Sequence, residues 1–161
     1  MPRFVITETD AQGRSTARVE DHASTPGHSA VLIWATDGSP ARWDEPGDHE
    51  TWRSFGTPPP AGGSKLVHLT IPADHRGVVH QTDTVDYAIV TRGSIVAVLD
   101  ANSVPLTVGD VLVQRGTVHA WSNVSGEPAE LVVALLDAQP RRPDSLRPGE
   151  RPADRPVVRP L

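Results

Sequence analysis

The sequence predicts an all-β barrel or sandwich. Three observations carry this prediction. Short apolar runs with period-two alternation recur along the chain, no stretch makes a convincing long helix, and 16 prolines with 13 glycines favour turns between short strands. The 161 residues and 17.3 kDa suit one domain.

The elements follow in order. Residues 3–7 (RFVIT) and 14–20 (RSTARVE) read as short strands around the turn DAQG. Residues 30–35 (AVLIWA) are a stronger strand, closed by TDGSP. Residues 36–64 are irregular and end on GTPPPAGGS. They read as a surface loop pinned by Trp43 and Trp52; a lid over the barrel mouth and a subunit contact are the alternatives. His49, between Asp48 and Glu50, is read as a solvated loop histidine.

Residues 65–71 (KLVHLTI) form a strand with Val67, Leu69 and Ile71 on one face. His68 lies on the other, which is either the cavity face or the outer surface. PADHRG is a turn whose His75 is a surface residue and a fallback ligand. Residues 78–91 are one long strand or a strand with a break; Val85, Tyr87, Ile89 and Thr91 face opposite to Asp86. Residues 94–100 return as the most apolar strand, VPLTVGD supplies a glycine turn, VLVQ is a strand and RGTV a turn. HAWSN then carries His119, Trp121 and Asn123 on one side. Residues 129–138 (AELVVALLDA) are the last core strand, apolar enough to be buried on both faces. The expected division is residues 1–64 as strands and a loop packing on the barrel, 65–138 as the barrel core, and 139–161 as a Pro/Arg-rich flexible or extended tail.

Composition narrows the function. The chain has no cysteine, which excludes disulfides and thiolate ligands and fits a cytoplasmic, reducing setting. The amino-terminal MPRFVITETD has no long apolar run, so neither a signal peptide nor a membrane partner is expected. Net charge is −5, and the six arginines and three acids of residues 140–161 leave the body near −8. Such a body repels phosphate backbones, which argues against nucleic-acid partners. A small-molecule substrate and a homodimer are the expected partners.

The chemistry concentrates between Gly77 and Asn123. His80, Thr82, Thr84 and Asp86 alternate with Gln81, Asp83 and Val85, so an imidazole and a carboxylate six residues apart share one strand face. His119 follows a strand and a tight turn. Two histidines and one carboxylate can cap one face of a metal and leave other positions open.

These residues resemble the small single-domain cupins. The first cupin motif, G-x5-H-x-H-x3,4-E-x6-G, maps onto His80, Thr82, Asp86 and Gly93. The second, PG-x5-P-x-G-x2-H-x3-N, maps onto Gly109, Asp110, Gly116, His119 and Asn123. The likeness covers roughly residues 65–137. Thr82 stands where a second metal histidine is usual, Asp86 replaces a glutamate, and Gln114 replaces a proline. The resemblance implies a cupin jelly-roll β-barrel, or double-stranded β-helix, with one open mouth.

It also implies a divalent metal (Fe, Mn, Ni, Co or Zn) at His80, Asp86 and His119. Without metal, the same three residues support acid–base catalysis. Thr82, Trp121, Gln114 and His68 are the expected substrate contacts, while the family asparagine, here Asn123, is commonly structural. Three functions stand. One is an enzyme of secondary metabolism acting on an apolar carbonyl compound as a cyclase, dehydratase, decarboxylase or isomerase. The others are a metal-dependent dioxygenase and a non-catalytic ligand-binding cupin.

Overall fold

A computed structural model describes residues 3–21, 30–43 and 58–139. Within them the chain is all β, with strands β1 (Arg3–Thr9), β2 (Ser15–Asp21), β3 (Ala30–Thr36), β4 (Ser64–Ile71), β5 (Thr84–Arg92), β6 (Ser94–Leu99), β7 (Ser103–Thr107), β8 (Val111–Arg115), β9 (His119–Ser122) and β10 (Ala129–Asp137). No helix among the described residues is long and apolar enough to cross a membrane.

The strands form three antiparallel sheets. β1 and β2 make a hairpin, β3-β4-β10-β5-β8 make the large sheet, and β7-β6-β9 make a smaller one. β3 is therefore a member of the large sheet, not an element laid on the barrel from outside. Residues 75–80 run irregularly beside β9, through the bridges Arg76↔Ser122 and His80↔His119. Of the two readings of residues 78–91, a long strand or a strand with a break, the structure has the second, since β5 begins only at Thr84. Gly77 lies so close to β9 that an added Cβ would sit 2.5 Å from the Trp121 carbonyl oxygen.

Residues 103–107, expected as part of a turn, are strand β7. Pro105 sits in it because β7 is an edge strand, where a missing N–H breaks no ladder on the open side. The tail expected from residue 139 onward lies, from residue 140, outside the described residues, as do His49 and Trp52. Trp43 is fully exposed, so it pins nothing.

The core is hydrocarbon from both sheets: Val67, Leu69 and Ile71 from β4, Ala88 and Val90 from β5, Ile95 and Ala97 from β6, and Leu131 and Val133 from β10. Register explains this composition. Val67, Val133 and Ala88 stand side by side across three strands, and Leu69, Leu131 and Val90 form the next row. The outer face of β5 and β8 exposes Tyr87, Ile89, Val111 and Val113.

At the end of the sheet where β3 stops and β4 begins, Gly63 donates its N–H to Pro60 O at 2.7 Å. A Cβ there would collide with the Thr36 carbonyl oxygen and lie 2.9 Å from Pro60 Cγ. Gly63→Ala is therefore expected to cost about 3 kcal/mol, since backbone oxygen cannot yield as a side chain does. A lower urea midpoint with unchanged slope is the readout; an unchanged midpoint contradicts this packing.

Candidate functional site

One further row lies above the apolar layers on the same inner face of the large sheet. Ala35 pairs with Lys65, Lys65 with Leu135, Leu135 with Asp86, and Asp86 with Gln114. Lys65, Asp86 and Gln114 are all buried. The inner face of the small sheet supplies a matching row at the same end, in which Leu99 pairs with His119 and His119 bridges to His80. Two sheets thus bring five polar side chains to one end of a hydrocarbon core.

The imidazoles meet by backbone design. His80 and His119 exchange N–H···O bonds of 2.9 Å in both directions, and their ring centroids lie 4.3 Å apart at 51°. Each Nδ1 faces a main-chain carbonyl: His80 at 2.9 Å from Val78 O, and His119 at 3.0 Å from Thr117 O. A carbonyl only accepts, so each Nδ1 carries a proton, and the burial that disfavours the His119 cation favours a lone pair on His119 Nε2.

Gln114 Nε2 lies 2.7 Å from Thr117 O, 2.6 Å from Thr117 Oγ1 and 3.1 Å from His119 Nδ1. Its two protons serve Thr117, and the turn so held fixes the carbonyl that orients His119. Gln114 is thus a positioning residue, with its amide nitrogen committed inside the protein instead of to substrate.

Asp86 is 6% exposed, and its Oδ1 is the one buried side-chain polar atom among the described residues that lacks a partner. Burial pushes its carboxyl above the usual range, opposed by the Thr84 hydroxyl and the His80 ring. Burial also pushes His119 below the usual histidine range; the Thr117 carbonyl opposes this, and His80 adds to it. The environment moves the two groups in opposite directions, toward a carboxyl that holds its proton and an imidazole that stays neutral.

With its folded value raised above 3.8, Asp86 contributes stability that is complete below 3.8 and is lost as pH rises through the raised value. Asp86→Asn is expected to remove that loss and to stabilise the fold at neutral pH by about 1–2 kcal/mol. Urea unfolding of both proteins from pH 4 to 8 tests this. A difference that does not grow with pH contradicts the burial of a carboxylate here.

The other expected contacts separate. Thr82 is half-buried and accepts the Thr84 hydroxyl at 2.8 Å. Trp121 meets His119 edge-on at 6.1 Å and packs against the core, so it serves as both wall and core. His68 is placed away from the site. It lies on the opposite face of β4 from Lys65, Val67 and Leu69, with Nε2 3.3 Å from Glu130 Oε2 and its ring 6.5 Å from that of Phe4 in the β1–β2 hairpin. His75 is exposed. Sequence reading missed Lys65, although its alternation with Val67 and Leu69 places it inward.

Cupin barrels commonly hold a metal, but among the described residues no three His, Asp or Glu side chains converge to hold one. His80, Asp86 and His119 therefore do not fit the three-ligand centre expected of them. Asp86 is one methylene short of a glutamate, and Thr82 brings a hydroxyl where an imidazole would stand.

No family model matches the chain. Among curated proteins it is 34% identical over 151 residues to the phomopsin biosynthesis cluster protein C′ of Diaporthe leptostromiformis, covering 86% of this chain and 80% of that one. It is 29% identical over 145 residues to a cupin-domain-containing oxidoreductase of Aspergillus ruber, covering 82% and 70%. Among solved structures, a Cupin 2 conserved barrel domain protein from Salinispora arenicola superposes with a TM-score of 0.44 at 19% identity, over 54% of this chain and 70% of that one. With relatives of that identity and coverage, and both sequence motifs placed on an all-β barrel, the chain belongs to the cupin family.

Proposed function

We propose that this cupin is a biosynthetic enzyme that moves a proton on an apolar carbonyl compound, as a cyclase, dehydratase, decarboxylase or isomerase does. The observation that carries the reading is the facing pair of imidazoles, each with Nδ1 on a backbone carbonyl, beside a buried carboxyl with an unpartnered oxygen. His119 Nε2 takes a proton from the carbon next to the carbonyl. Asp86, whose carboxyl burial shifts toward the protonated form, donates a hydrogen bond to the enolate oxygen that develops. The hydrocarbon layers beneath favour an apolar substrate body. Relatives named for biosynthesis clusters, of phomopsin and of oryzines, support a place in secondary metabolism.

The relatives named oxidoreductases favour a second reading, an oxidation that consumes oxygen. One experiment separates the two. Aryl and alkyl ketones are incubated in D2O with the protein, with exchange at the α-carbon followed by NMR and dissolved oxygen by electrode. Proton-transfer chemistry predicts exchange that survives a chelator and disappears in His119→Ala. Substrate-dependent oxygen uptake without exchange supports the oxidoreductase. Binding with neither points to a ligand-binding cupin.

A further inference from the structure

Lys65 is the single lysine of a 161-residue chain, and it is 3% exposed. All other permanent positive side chains are arginine. Lysine is among the residue types least often fully buried, because a desolvated ammonium is costly. Here the strand places it inward, on the face of Val67, Leu69 and Ile71. It stands in the same cross-strand row as Asp86 and Gln114, two strands from Asp86 with Leu135 between them. At about 4.8 Å per strand, its backbone is about 10 Å from that of Asp86. Lys65 and the imidazole pair therefore project from neighbouring rows at one polar end of the barrel.

We propose that Lys65 is a carbonyl-binding amine that forms an imine with an aldehyde or ketone at the polar end of the barrel. The proposal rests on the reading above in expecting a carbonyl compound there, and it adds a covalent site to it. The Nζ lone pair forms the new C–N bond as the C=O π pair moves to oxygen. Both amine protons pass in turn to that oxygen, which leaves as water, and a C=N bond remains. No oxidant or reductant is needed. Burial pushes the amine below the usual lysine range, which favours the neutral nucleophile. Arginine, with its delocalised and always-charged guanidinium, cannot replace it in this chemistry.

The single lysine makes the test clean. The full chain, folded, is treated with limiting benzaldehyde and sodium cyanoborohydride, which reduces an imine to a stable benzylamine. Peptide mass spectrometry then locates the benzyl group. The proposal predicts one benzyl on Lys65 in preference to the terminal α-amine, and loss of that label in Lys65→Arg with the circular dichroism spectrum retained. Lys65→Met supplies the same readout if the arginine variant does not fold. Label confined to the terminal amine while folded, with Lys65 reacting only in urea, overturns the proposal. Failure here leaves His119-dependent exchange standing, whereas failure of that exchange with Lys65 still labelled sinks only the proton-transfer reading.

Discussion

His119→Ala is expected to lower turnover about 10²–10⁴-fold, the usual contribution of a positioned general base. The fold should survive, because the His80–His119 bridge is made by main-chain atoms that the substitution leaves in place. His80→Ala should lower turnover as well. If both rings act on one guest, the double variant will lose far less than the product of the single losses. Independent, multiplicative losses would mean the rings do not work together. Rate profiles add a second check. The base form of His119 should persist to lower pH than an ordinary histidine allows, since burial disfavours its cation.

Asn123→Ala is expected to be the most damaging substitution to the fold, costing about 3–5 kcal/mol. Asn123 is 0% exposed, and its amide nitrogen donates to Ile71 O, Pro72 O and Glu127 O at 3.2, 3.0 and 2.8 Å. Its Oδ1 accepts from Ser125 N at 3.0 Å and Ser125 Oγ at 2.7 Å. One side chain thus ties the end of β4 and the turn before β10 to the end of β9. Alanine takes one donor from each of three backbone carbonyls and the acceptor from Ser125. Asn123→Asp keeps the shape but removes the donors and sets a charge against those carbonyls, so it should be no milder. Urea midpoints within 1 kcal/mol of the parent, on the scale of ordinary substitutions, would show the knot is not needed.

Much of this architecture was legible in the residues. Alternation located β4 and continuous apolar runs located β6 and β10, although in β10 only one face is fully buried and not the two expected. The motif spacings brought His80 and His119 to one place, where the backbone bridge holds them. Alternation alone, however, gives two faces and does not say which one looks inward. His68 was ambiguous for that reason, and only the hairpin carrying Phe4 explains why an outer-face histidine is buried. Pro105 masked β7, since a proline within a strand reads as a turn until the strand is known to be an edge. Gln114 looked like a substrate contact because its commitment to Thr117 depends on a turn geometry no spacing reveals. Lys65 was overlooked because charged side chains at strand starts are ordinarily solvated.

The central claim is that two imidazoles, each with its Nδ1 on a backbone carbonyl, serve one site. Long-range ¹H–¹⁵N NMR of the histidine rings tests it most directly. The account predicts a proton on Nδ1 of both His80 and His119, the Nδ1–H tautomer at His119, and joint shifts of both rings when an aryl ketone is added. An Nε2–H tautomer at His119, or a ligand that perturbs only one of the rings, would contradict it.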